Sequence, residues 1–562
     1  MRFSVFVSIP VLFCLFLALP LEKGLSARGD LVDYVAKPSP WDPVNNIFTG
    51  ANIDAAISSE FGIAGIPPST HDVVAFKIRY ETVDAVGAPT TASALVTIPL
   101  ARQLAPTFCY NHGTTPNDLE VPSQATKEWN PGEFFTLLSF SGAGYVGIAA
   151  DYVGMGAATI TGTTVNPGYH PYHHAQSQAA AVVDAIRAGH TLVRQLQQQT
   201  GTTLSDNDLF LAGYSQGGHV TMCAHREIEE NPTLGLSVRA SAPAAGAYDL
   251  GKTAFEGNIE VPSEKTPLYL AYIIHSYHRT YSIPQNLDDL FVPAVAANIP
   301  DLLDGTKTTD ELVNGLPPYT DLGKLLLYPS VEEIRHRFPD FVAKLEENSM
   351  HQWVPKAPML MLYVDKDVDV LPANTFVTYG YMAPRGTPVR KQRVGSGFNH
   401  NNVGIEWIRV AREYFDSFTA SSQTTYDSWK SNLGNFHRNE IDAGDTVVGP
   451  NADPNRDGVS NLICYALGLE PTLPAQAGLP KLRPRSDGKM ELSVIRRIND
   501  PSLAVVLETT NDLKQGTWTG TGSVLTAQTP VIMGGGFEQT VYTTALPASE
   551  LGKRFFRVRI QR

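Results

Sequence analysis

Residues 209–220 read LFLAGYSQGGHV, and this stretch constrains the chain more than any other. An apolar run stops at one serine, Ser215, held between Gly213 and Gly217, and a segment of helical spacing begins at once. A strand that turns into a helix at a single residue leaves no room for side chains beside it, so the pattern needs glycine. The turn lifts the serine oxygen clear of a sheet. It also sets the serine at a helix start, where backbone N–H groups and the helix dipole favour negative charge. A bare G-x-S-x-G match is common. Here a buried strand precedes it and an amphipathic helix follows, which makes Ser215 a candidate nucleophile.

A serine nucleophile needs a base, and the base needs orienting. On this strand-turn-helix scaffold the order is serine, acid, histidine. Residues 357–374, APMLMLYVDKDVDVLPAN, end an apolar strand in Asp365, Asp367 and Asp369. Asp367 is favoured because Val370 and Pro372 follow it. One extra residue before the proline keeps Asp365 and Asp369 open as alternatives. Residues 394–404, VGSGFNHNNVG, place His400 in a Gly/Asn-rich loop just before the last amphipathic helix. That is the position the base must occupy. Negative charge developing on an attacked carbonyl needs donors. Gln216, directly after the serine, supplies one backbone N–H. The loop in TFCYNHGTT (107–115) offers Thr114 as the second donor and Gly113 for close backbone approach. His112 either braces that loop or packs in the core. With Gly113 and Tyr214 it is assigned to substrate contact.

Strands alternate with helices around these motifs. Strand-like runs fall at 73–99, 106–113, 144–152, 208–213, 236–244 and 357–365, and helical patterns at 175–196, 217–228 and 407–418. The alternation predicts an α/β domain with a mostly parallel sheet over 40–419. About a hundred residues, 247–352, interrupt it and are rich in helix-like runs and tyrosine, as expected of a cap. Residues 420–449 read as a polar linker and 450–475 as a calcium-loop-like segment. From 476 to 562, short β-like runs separated by Gly, Pro, Asn and Asp predict a small all-β module of sandwich type.

The chain begins with Arg2, an apolar run from Phe3 to Leu19, and small residues at Gly24, Ser26 and Ala27. This is the layout of a secretory signal peptide over 1–26, and no later segment is apolar enough to span a bilayer. With 43 basic against 56 acidic residues the net charge is −13, which argues against nucleic acid as a partner. Cys109, Cys223 and Cys464 are too far apart for a disulfide framework, and Cys109 and Cys223 are expected as buried thiols. His170, His173 and His174 cluster in NPGYHPYHHAQ without further metal-like partners, so they read as a loop near the site mouth rather than a metal centre. Asp453, Asn455, Asp457, Val459 and Asn461 follow calcium-loop spacing, but Cys464 stands where a bidentate glutamate belongs.

Taken together, YETVDAVGAPTTASALVTIP, NHGTT, GYVGIAADYVGMG, HPYHH, VVDAIRAG and GYSQGG make residues 70–418 resemble the α/β-hydrolase superfamily, in its secretory-lipase-like esterase branch. Separately, ADPNRDGVSNLICYALGLEP and the ending RFFRVRI resemble a C-terminal module of large secreted bacterial proteins. The first resemblance implies a secreted serine hydrolase of carboxylic esters, acting on a small-molecule or lipid-like ester with no cofactor for catalysis. The second implies an extracellular or surface accessory role, such as binding a cell surface or polymer, and not catalysis, while the spacing from Asp453 to Asn461 makes calcium the candidate ion there. A peptidase or acyltransferase of the same superfamily is the alternative, and a non-catalytic surface binding protein lies further off.

Overall fold

The computed structural model describes residues 27–562 apart from 62–65, 158, 161–167, 405, 419–423, 433 and 515. The signal-peptide reading of 1–26 lies outside the described residues. Ten strands form the main sheet: β1 (Leu31–Ala36), β2 (Ile47–Phe48), β3 (Val73–Val83), β4 (Pro89–Pro99), β5 (Ala105–Asn111), β6 (Val146–Ala150), β7 (Leu204–Tyr214), β8 (Val238–Ala244), β9 (Met359–Tyr363) and β10 (Val389–Arg393). Their order is β1-β3-β4-β6-β5-β7-β8-β9-β10, with β2 paired to β3. From β6 to β10 every pairing is parallel, whereas β1, β3 and β4 join antiparallel.

The continuous apolar runs follow from burial on both faces. In β7, Phe210 and Ala212 enter the core that holds the helices Pro131–Gly142 and Glu406–Asp416. Their neighbours Leu209 and Leu211 enter the opposite core, against Ala175–Gln195 and Gln216–Glu230. Alternation within a strand thus serves two hydrophobic layers, and the sequence needs no polar face.

Between β8 and β9 the chain leaves the sheet and forms helices including Phe255–Glu260, Thr266–Tyr281 and Pro339–Glu347. They carry a core of their own, with Phe255, Leu270, Ile274, Tyr277 and Phe341. Tyr172, from the HPYHH stretch, belongs to that core, so the loop and the cap pack as one wall.

Beyond the helix Glu406–Asp416, the segment read as a polar linker is packed instead. Tyr426, Trp429, Phe436 and Val448 are buried together with Cys464 and Tyr465. The polar residues between them had masked four large apolar anchors. The C-terminal region forms two antiparallel sheets, one of five strands around Met490–Arg497 and Phe537–Thr544, the other of three around Ala504–Thr510 and Phe555–Gln561. Leu492, Val494 and Leu525 pack with Leu507 and Phe556 between them. This region lies against β10. Gln539 Nε2 donates to the Gly386 carbonyl at 2.8 Å, Lys391 pairs with Glu470, and the Arg390 guanidinium sits 4.0 Å over the Phe537 ring. Among the described residues no helix is long and apolar enough to cross a membrane.

Candidate active site

The strand-to-helix turn puts Ser215 in a backbone conformation that side chains rarely adopt, φ 60° and ψ −122°. The glycines beside it have no alternative. A Cβ on Gly217 would lie 2.0 Å from the Asn111 carbonyl oxygen, and one on Gly213 would lie 2.4 Å from the Gly217 oxygen. A strained serine on a rigid corner suits a site held ready by the surrounding fold. The Ser215 hydroxyl does not cap the helix that follows. It meets His400 Nε2 at 2.8 Å.

His400 Nδ1 stands 2.6 Å from Asp367 Oδ2. The other carboxylate oxygen, Oδ1, accepts the backbone N–H groups of Asp369 (3.0 Å) and Val370 (2.8 Å). Ser215, His400 and Asp367 follow the C-terminal ends of β7, β10 and β9, and all three are buried. The two other aspartates are engaged elsewhere. Asp365 accepts the Gly397 N–H, and Asp369 accepts the Asn401 side-chain amide.

The remaining predicted residues divide. His112 is buried and stacked on Tyr152 at 4.0 Å, with Nδ1 2.8 Å from the Gly113 carbonyl oxygen and Nε2 3.4 Å from that of Asp151, so the neutral ring donates to one of the two. Burial pushes its pKa down to about 4, so it sits neutral as a brace beneath the loop. Gly113 lies over the elbow, where an added Cβ would be 3.6 Å from the Tyr214 carbonyl oxygen and 3.9 Å from Ser215 Cβ. The Thr114 hydroxyl bonds the Tyr172 hydroxyl at 2.9 Å. Gln216 opens the helix, and its side chain bonds His170 Nε2 at 2.7 Å. Tyr214, assigned to substrate contact, is engaged with the residues around His400. Its ring stacks on Trp407 and its hydroxyl donates to the His400 carbonyl at 3.0 Å. It is partly buried against the core that holds Trp407, with its ring 4.9 Å from that of His400.

A pocket opens at Ser215 and Gln216, walled by Ala247, Leu250, Phe255, Leu270 and Ile273 of the cap side, with Tyr172, His173, Asn258, Tyr269, Asp369 and Val370 completing it. The sequence motifs named none of the cap residues. They carry no fixed spacing from the elbow, and only the fold of the cap brings them over it.

In the C-terminal loop, Asp453 accepts the Asp457 and Gly458 N–H groups, and Asp457 accepts those of Val459 and Ala475. The Asn461 amide nitrogen is held by the Val447 and Gly449 carbonyls, while its buried Oδ1 has no partner among the described residues. Cys464 brings no carboxylate. Its thiol is buried near the Glu470 carbonyl, and burial pushes its pKa up to about 12. The carboxylates of Asp453 and Asp457 thus serve backbone N–H groups in and beside the loop, Asn461 Oδ1 is its unpartnered buried oxygen, and Cys464 leaves it one strong ligand short of a calcium loop.

Sheet order, elbow and cap make this an α/β-hydrolase fold. Solved structures share it. A protein from Legionella pneumophila provisionally assigned as a hydrolase is 25% identical, with a TM-score of 0.60 over 70% of this chain and 100% of its own. The rice cell wall degrading esterase LipA from Xanthomonas oryzae, in a ligand-bound form, is 25% identical with a TM-score of 0.59, over 69% of this chain and 98% of its own. No protein-family profile and no curated protein sequence matches the chain.

Proposed function

We propose that this protein is a secreted serine hydrolase of carboxylic esters. One observation carries the reading: an unbroken hydrogen-bonded line from Asp367 through His400 to Ser215, opening on an apolar pocket. In this reading Ser215 Oγ attacks the acyl carbon while its proton passes to His400 Nε2. Asp367 keeps the proton on Nδ1 and stabilises the imidazolium that forms. The backbone N–H groups of Gln216 and Thr114 hold the carbonyl oxygen as it gains charge. His400 then protonates the leaving alcohol, and water repeats the sequence to free the acid. The likeness to an esterase supports the substrate class, and the apolar walls favour a hydrocarbon acyl part.

The test is hydrolysis of p-nitrophenyl esters from acetyl to palmitoyl, with Ser215→Ala beside the native enzyme. Activity surviving that substitution refutes the nucleophile. Turnover of peptides without esters refutes the substrate class. We also propose calcium at Asp453, Asn455, Asp457, Val459 and Asn461, as a structural ion remote from the chemistry. Calcium at about a hundred times its Kd would stabilise the folded state by about 2.7 kcal/mol. An identical melt with calcium and with chelator refutes it.

A further inference from the structure

A second cluster of ligating side chains lies where the chain enters and leaves the cap. Asp249 precedes the turn Leu250–Ala254, Glu346 is on the helix Pro339–Glu347, and His351 follows that helix. Their ligating atoms all lie within 4.8 Å of one another. Asp249 and His351 are buried, at 3% and 8% exposure.

Among the described residues, two buried atoms here have no hydrogen-bond partner: Asp249 Oδ1 and His351 Nδ1. They face each other at 3.8 Å, too far for a hydrogen bond. The other oxygen of Asp249 is fully used, accepting the Thr253 N–H at 3.2 Å and hydroxyl at 2.5 Å. Only Oδ1 points at the histidine side. Glu346 folds over Gly251, where a Cβ would come within 2.5 Å of its Oε1. The nearby cation, Arg335, is committed to Glu256 and the Gly251 carbonyl. Unpaired buried polar atoms are costly, and a buried carboxylate oxygen without a partner most of all.

We infer that Asp249, Glu346 and His351 bind a first-row divalent cation of the zinc type, which ties the two ends of the cap together. One imidazole and two carboxylates suit zinc, whereas calcium takes oxygen ligands in larger number. Bonds of about 2.0–2.2 Å in a tetrahedral site place two ligand atoms about 3.4 Å apart. The Asp249–His351 pair already stands near that spacing. Glu346, whose side chain is exposed, closes the remainder by about an ångström through rotamer change, and water takes the fourth place. The same two segments are laced by backbone contacts, Met350 N–H to the Tyr248 carbonyl at 2.6 Å and Leu250 N–H to Ser349 Oγ at 2.9 Å. Leu250 also walls the pocket beside Ser215, so the cation would fix that wall without touching the reacting atoms.

The test is titration of the full-length, EDTA-treated protein with zinc chloride by calorimetry. One saturable site is expected, weakened at least tenfold in Glu346→Gln and in His351→Gln, and retained in an Asp453→Asn/Asp457→Asn variant. Cobalt(II) gives a second reading. Its visible absorption with the native protein should vanish in His351→Gln while that variant melts as the metal-free native protein does. Zinc should also slow proteolysis within 247–352. No saturable uptake, uptake untouched by either substitution, or uptake that depends on His351 but not Glu346 overturns the three-ligand clamp.

Discussion

Replacing Asp367 by asparagine should disable the proposed enzyme by reversing one proton. In the native site, Asp367 Oδ1 is pinned by two backbone N–H groups, from Asp369 and Val370. An asparagine must leave its carbonyl oxygen there, because an amide nitrogen cannot accept those bonds. Its NH2 group then faces His400 Nδ1, where Asp367 Oδ2 stood at 2.6 Å. The ring answers by accepting on Nδ1 and carrying its proton on Nε2, which points at Ser215 Oγ. A protonated Nε2 cannot take the serine proton. The loss should be on the order of 10⁴-fold in kcat, about 5.5 kcal/mol of transition-state stabilisation. Folding should be unaffected, because both backbone bonds persist. Asp367→Ala should fall less far, because an unpinned ring reaches both tautomers. The assay is kcat and KM on p-nitrophenyl butyrate at neutral pH, with a thermal melt of each variant. An asparagine variant within tenfold of native, or clearly faster than the alanine variant, refutes the orienting role.

Three further outcomes are expected. Gly217→Ala should cost about 1–3 kcal/mol in urea unfolding, because the new methyl would meet the Asn111 carbonyl at 2.0 Å on a central strand. An unchanged midpoint would mean that the elbow yields. Tyr214→Phe removes the donor to the His400 carbonyl, worth about 0.5–1.5 kcal/mol, so kcat should drop by up to roughly tenfold with KM unchanged. A change in KM alone would instead make Tyr214 a substrate contact. Burial, with the Asp304 charge adding to it, pushes the Asp118 carboxyl up to about 8. From its ordinary value near 4 up to that pKa, the folded protein holds the proton that the unfolded chain has lost, so stability falls as pH rises. Asp118→Asn should therefore raise the melting temperature at pH 8 and leave it nearly unchanged at pH 4. An equal gain at both would refute the assignment.

The elbow was legible because its demands are local. Gly213 and Gly217 answer to atoms within a few ångströms, and the strand and helix around Ser215 show their own periodicity. His400 and Asp367 were legible through order along the chain. β10 was not, because VRKQR carries three cations on a strand that a later region covers, and each is answered by a residue distant in sequence. The helix Pro131–Gly142 was missed for the opposite reason. It is buried on nearly every side from Phe134 to Gly142, so no polar stripe marks it. Phe255, Leu270 and Ile273 reach the pocket through the fold of the cap, which no motif encodes.

The seating of the C-terminal region on β10 has a consequence for the hydrolase fold itself. Among the described residues β10 ends the sheet, and one row of its backbone groups has no neighbouring strand. Exposed rows of that kind recruit strands from other molecules. Here Phe537, Glu470 and His437 lie over the row's side chains and take its charges in partnership. A chain cut after Asp416 would keep every residue of the proposed chemistry and lose that guard. It would then present a bare, cationic sheet edge to its own copies. The C-terminal region would thus act as a chaperoning cover for the fold that precedes it.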